Sequence, residues 1–227
     1  MILIVTAGGT TEKIDDVRSI TNLSTGRLGN AIGRTILDRF GDQLERLYYL
    51  HGQRALPPVG EKVTAVPIGG VADLEKALKE ILEREPVDAV IHSMAVSDYT
   101  VKELTTLADI NEGKTLDASK KISSDIEDLV IIMKKTTKVI GSIKKWSPKT
   151  LLVGFKLLSN VPVEQLIDVG YGLLQKNQCT FVMANDLKDI KEETHTGYLI
   201  HEDKTYDTMK TKEEIAETIC SRLLERL

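Results

Sequence analysis

Cysteine is almost missing from this sequence: among 227 residues only Cys179 and Cys220 occur, far apart and with no second pair. That removes a disulfide framework and a zinc site of the paired-cysteine kind, and it fits a chain kept in a reducing cytoplasm. The four histidines, at 51, 92, 195 and 201, have no cysteine or acidic partner at ligand spacing, so no protein-held metal is expected. No apolar run reaches the ~18 residues that a membrane helix needs. The first residues lack the basic flank and small-residue cleavage site of a signal peptide and read as a buried strand. Basic residues are not in excess either: 30 Lys and Arg face 34 Asp and Glu, for a net charge of −4. Neither a nucleic acid nor a membrane is therefore an expected partner, and an anionic ligand has to be met by local positive charge. No serine stands in a GxSxG setting, which leaves acyl-serine chemistry without support.

What is present is an alternation of short apolar runs and amphipathic stretches. Strands are expected at 2–6, 46–51, 63–68, 88–95, 129–133, 150–155 and 180–185, and helices at 27–40, 71–85, 137–146, 162–177 and 211–226. Near-continuous apolar strands between helices predict an α/β, Rossmann-like fold: a mostly parallel sheet with helices on both faces, in one domain over 1–227. Two segments break the rhythm. The polar stretch 97–121 reads as a flexible flap, and 194–208 as a small β arm with polar strands.

The connection between the first strand and the first helix, 7–26, is also anomalous, since such links usually take about 2–6 residues. Gly8 and Gly9 follow the strand directly, where glycine lets backbone N–H groups approach a phosphate, and Thr10 adds a hydroxyl. Farther on, "NLSTGR" offers Ser24 or Thr25 as a helix N-cap, and a helix start suits a second anion. One loop can thus serve two anions. In open α/β sheets ligands lie at the carboxyl ends of the strands, which singles out three further places. These are Ala95 and Asp98 in "AVSDY", Lys120 and Lys121 at the end of the flap, and Phe155 and Lys156 in "GFKLL". Ala95 would offer backbone groups to a base, and Asp98 a carboxylate either to a ribose hydroxyl or to a metal-bound phosphate.

These loops together resemble the phosphopantothenate–cysteine ligase family. The family's glycine-rich run is matched by Gly8, Gly9, Thr10, Glu12, Ile14, Asp15, Val17, Arg18, Ile20, Asn22, Ser24 and Gly26. Its later runs are matched by Ala95 to Tyr99, by Lys121 and Ile122, by Gly154 and Phe155, and by Ala184 to Asp186. The order of the motifs covers almost the whole chain and looks like the stand-alone bacterial form.

The resemblance implies an enzyme of coenzyme A biosynthesis. The carboxylate of 4′-phosphopantothenate attacks the α-phosphate of CTP, with Mg²⁺ accompanying the triphosphate. Pyrophosphate leaves, and the amine of free cysteine displaces CMP from the acyl-cytidylate. It further implies a homodimer and a set of roles. Gly8, Gly9, Thr10, Ala95, Asp98, Lys121, Phe155 and Lys156 would hold the nucleotide. Arg18, Asn22, Ser24, Thr25, Gly26 and Arg27 would hold phosphopantothenate. Asn22 and Lys121 would be catalytic, the first at a developing oxyanion and the second at the departing pyrophosphate. Bacterial relatives carry "GFAAET" where this chain has "GFKLLS", nearer to the eukaryotic members that use ATP, so ATP stands as the alternative to CTP. Two other readings compete. A nicotinamide-dependent reductase would need GxGxxG and an acid after the second strand, and neither is present. A nucleotide-binding module without turnover has no use for an oxyanion donor.

Overall fold

The computed structural model describes residues 1–191 and 193–227. Its strands are β1 (Ile2–Ala7), β2 (Thr11–Lys13), β3 (Ser19–Thr21), β4 (Arg46–His51), β5 (Val63–Pro67), β6 (Ala89–His92), β7 (Tyr99–Thr106), β8 (Leu129–Lys135), β9 (Leu151–Leu158), β10 (Phe181–Ile190), β11 (His195–Ile200) and β12 (Tyr206–Met209). Its helices are α1 (Arg27–Phe40), α2 (Val71–Arg84), α3 (Ile140–Trp146), α4 (Val163–Asn177) and α5 (Lys212–Leu224). Eight strands form the central sheet in the order β12-β11-β10-β9-β6-β1-β4-β5. From β5 to β10 all neighbours are parallel; β11 and β12 are antiparallel.

Strand β1 explains why the central runs are apolar without a break. Its side chains alternate between two faces, and each face is covered. Ile2 and Ile4 pack with α2 and α4 residues such as Leu74, Leu78 and Leu166, while Leu3, Val5 and Ala7 pack with Ile32 and Ile36 of α1 and Ile215 and Ile219 of α5. A sheet buried on both sides cannot afford a polar face.

The structure corrects two expectations and refines a third. The apolar run at 129–133 is not a strand of the central sheet. It is part of β8, which pairs antiparallel with β7 in a separate ribbon where its side chains are half-buried. The segment at 97–121 is accordingly not structureless: its first part is β7, and only the ribbon's far end, 107–128, is irregular. The segment at 194–208 is the expected hairpin, β11 with β12, but it is joined to the sheet and its first strand is not polar. β11 pairs with β10 and lengthens the sheet, and its His195, Gly197, Leu199 and Ile200 are buried among residues that look polar in sequence. The long first connection also holds an unexpected small hairpin, β2 with β3.

Candidate active site

The loops after β1, β6, β9 and β10 enclose a cleft of about 920 Å³ at the carboxyl ends of the parallel strands. Its wall includes Gly8, the run Thr21 to Gly29, His92 to Asp98, Thr137 to Ile140, Phe155 to Leu157, and Lys176, Asn185, His195 and Lys212.

Backbone geometry sets the entry to α1. The residue before the helix is Gly26, at φ 72°, with no side-chain cap. A Cβ there would stand 2.3 Å from Ala55 Cβ. The expected cap at Ser24 or Thr25 is therefore replaced by glycine, because the loop turns left-handed against its neighbour. The first N–H groups of α1 are left without a side-chain acceptor beside the cleft, an arrangement that favours an anion.

Of the residues singled out from sequence, the cleft brings together Gly8, Asn22, Ser24, Thr25, Gly26, Arg27, Ala95, Asp98, Phe155 and Lys156. Asn22 donates one amide proton from Nδ2 to Ala95 O at 3.1 Å. That fixes the side chain and leaves its second proton for a ligand. Ala95 does not offer its backbone to a base: its N–H donates to Gly8 O at 2.8 Å, and its carbonyl accepts from Thr10 N and Asn22 Nδ2. Asp98 is paired with Lys138 at the exposed rim.

Four expected ligand residues lie outside the cleft wall: Gly9, Thr10, Arg18 and Lys121. Thr10 is fully buried, and its hydroxyl accepts from Ser97 N at 2.9 Å and donates to Ser97 Oγ at 3.0 Å. It ties the first loop to the loop after β6. Gly9 is bridged to Ala95, and a Cβ on it would stand 2.5 Å from Asn22 O. Arg18 places Nε 2.9 Å from Asp15 Oδ2 and Nη2 2.6 Å from the carbonyl of Ile122. Lys121 is exposed beside that clasp.

Asp15 is the centre of the clasp. Burial alone would raise its carboxyl. The N–H of Val17, the Arg18 guanidinium, and the N–H groups of Arg18 and Ile122 outweigh burial and hold it well below the usual carboxylate range. Glu12 braces the other end of the ribbon, accepting from Val71 N at the start of α2 (2.8 Å) and from Thr100 Oγ1 in β7 (2.6 Å). Thr136, after β8, closes the root by donating to Ser97 O at 2.6 Å. Asp186, next to Asn185, is also a brace: burial opposes its ionisation, but the N–H groups of Val161, Lys188 and Asn160 bring it down to about 2.

Sequence reasoning missed Lys138, Lys176, His195 and Lys212, all on the cleft wall. They sit on elements far apart in the chain, and no local spacing marks them. Burial pushes His92 down to about 4. His195 is also pushed down to about 4, by burial first and by Lys212 second.

A family model described as "DNA/pantothenate metabolism flavoprotein C-terminal domain" matches residues 1–227. The coenzyme A biosynthesis bifunctional protein CoaBC of Thermococcus kodakarensis is 29% identical over 227 residues, which cover 99% of this chain and 51% of that protein. The chain thus spans about half the length of this curated relative. A DNA/pantothenate metabolism flavoprotein from Streptococcus pneumoniae, solved by crystallography, aligns over 100% of both chains with a TM-score of 0.89 and 36% identity. A solved Cab2 mutant in complex with phosphopantothenate-cysteine has a TM-score of 0.74 at 17% identity, covering 99% of this chain and 85% of its own, a likeness of fold alone.

Proposed function

The chain belongs to the family of the DNA/pantothenate metabolism flavoprotein C-terminal domain, and from that membership we propose that it joins cysteine to 4′-phosphopantothenate in coenzyme A biosynthesis. The observation that carries this reading is the placement of Asn22 and the uncapped start of α1 on one cleft. An anion site there stands beside a fixed amide donor that adds no charge.

In the proposed sequence, a phosphopantothenate carboxylate oxygen attacks the α-phosphorus of a nucleoside triphosphate. The P–O bond to pyrophosphate breaks, and an acyl-nucleotidylate forms. The cysteine nitrogen then attacks the acyl carbon and loses a proton, and the nucleoside monophosphate leaves with its oxygen. The start of α1 would hold phosphate oxygens, aided by the lysines at 156 and 176. Asn22 would donate its remaining amide proton to the acyl oxygen as negative charge gathers there. Phe155 offers a face for a base. CTP is the proposed nucleotide and ATP the alternative.

Mg²⁺ is proposed as the companion of the triphosphate. Among the described residues no group of three or more His, Cys, Asp or Glu is placed to hold a metal, and we propose that the ion rides on phosphates and water. We also propose a cytoplasmic location, in keeping with two buried, unpaired cysteines. The proposed homodimer would cover exposed apolar side chains such as Leu23, Leu56 and Val59.

The test is pyrophosphate release by the purified protein with Mg²⁺, 4′-phosphopantothenate and cysteine, with CTP and ATP in parallel. Release that requires phosphopantothenate is expected, and the ratio of the two rates sets the nucleotide preference. No release with either nucleotide from folded protein overturns the reading.

A further inference from the structure

Two buried histidines reach the cleft, and they differ in one respect. Thr6 Oγ1 lies 2.9 Å from His92 Nδ1 and also accepts from Met94 N at 3.2 Å; a hydroxyl can donate to or accept from the ring, so Nδ1 is satisfied in either tautomer. His195 has Asn185 Nδ2 at 2.9 Å from its Nε2. An amide nitrogen can only donate there, so Nε2 is the acceptor and the ring proton sits on Nδ1. That Nδ1 has no partner among the described residues, although His195 is only 5% exposed. A buried donor without an acceptor is costly and is rarely kept without a purpose.

The surroundings indicate what the acceptor is. Lys212 lines the same cleft and also an adjoining cavity of about 450 Å³, which it shares with Arg27 and Arg34 of α1 and with Glu193 and Glu213. Lysine at 176 lies on the cleft wall too. An N–H donor beside basic side chains matches a phosphate oxygen better than a base edge or an ammonium group.

We propose that His195, held by Asn185 as the Nδ1–H tautomer, is a substrate-binding residue that donates to a phosphate oxygen of the nucleoside triphosphate, with Lys212 as its charged companion. The assignment rests on the reaction proposed above and adds to it a contact on the β10–β11 side of the cleft, remote in sequence from the glycine-rich loop.

The experiment measures binding apart from turnover. Calorimetry would follow the nucleotide selected by the release assay, and inorganic tripolyphosphate as a probe without a base. His195→Ala is expected to weaken both by about tenfold or more. His195→Asn, whose side-chain amide puts a donor near the Nδ1 position, is expected to recover most of the loss. In wild-type protein with ¹⁵N-labelled histidine, the Nδ1–H resonance of His195 should shift when either ligand is added. That readout stands even where a variant fails to fold. Unchanged affinity in His195→Ala, or an Nδ1–H signal indifferent to both ligands, overturns the proposal. Affinity lost for the nucleotide but not for tripolyphosphate also overturns it, because the contact would then be to base or ribose. A wild-type protein that binds nucleotide through His195 yet makes no product would instead sink the ligase reading and leave this contact standing.

Discussion

The two halves of the long first loop are built from similar residues and do different work. From Thr10 to Thr21, the polar groups of Thr10, Glu12, Asp15 and Arg18 are spent on the protein itself: on Ser97, on the start of α2 and on the β7–β8 ribbon. From Asn22 to Gly29, the chain runs along the cleft, and Asn22 keeps an amide proton while the start of α1 keeps its N–H groups. A hydroxyl, a carboxylate or a guanidinium can serve either end. Which it serves depends on how many partners the fold has already given it.

The largest way to break this contrast is Asn22→Asp. It removes the donor and places a negative charge beside a carboxylate substrate, so turnover should fall by roughly 100-fold or more, with nucleotide still bound and the thermal midpoint lowered by about a few degrees through the lost bond to Ala95 O. Rapid-quench assays for the acyl-nucleotidylate check this; wild-type turnover would move the oxyanion role elsewhere. Asp15→Ala should act the other way. It strips the acceptor from three backbone N–H groups and from Arg18, so amide exchange at Ile122 and proteolysis within 107–128 should rise. Turnover should drop by only about tenfold, through poorer flap placement. An unaltered exchange rate at Ile122 would show that the clasp does not hold the ribbon.

The gentlest test is acid titration. The histidines at 92 and 195 have folded pKa values of about 4, below the ordinary 6.5. The unfolded chain therefore binds more protons between these values, and the stability that the neutral rings contribute is present above pH 6.5 and is lost as pH falls toward 4. Asp15 is depressed, so its contribution is present above the ordinary carboxylate pKa and is lost only below that range. The thermal midpoint should thus decline from pH 6.5 to 4 while Ile122 stays protected from local exchange. Simultaneous loss of both would mean that clasp and cleft are one unit.

The central fold was legible because parallel strands covered on both faces carry near-continuous apolar runs, as Ile2–Val5 of β1, Ala89–Ile91 of β6 and Leu151–Val153 of β9 do. The same apolarity misled at 129–133: the ribbon half-buries Leu129 to Ile132, and composition alone does not say against what. Strand β11 was expected as part of a polar hairpin, and its place in the central sheet was hidden for the opposite reason, since its buried positions include a histidine and a glycine. Ten expected residues do meet on the cleft, because the carboxyl ends of parallel strands converge whatever the sequence between them. Thr10 was assigned to phosphates on residue type and Arg18 on family likeness, whereas the Ser97 and Ile122 contacts show both side chains bracing the protein itself. His195 gave no signal, since its meaning lies in an unmatched ring proton.

The clasp between Asp15 and Ile122 joins residues 107 apart in the chain, whereas β7 and β8 close on each other locally. Time therefore enters the architecture. A ribbon of neighbouring strands forms in about microseconds, but fastening its far end waits until β1 and β6 have brought the two loops within reach, because the entropy of closing so long a loop comes due before the contact repays it. The ribbon's far end is therefore the part expected to be fastened last, and amide exchange at Ile122 reads its opening.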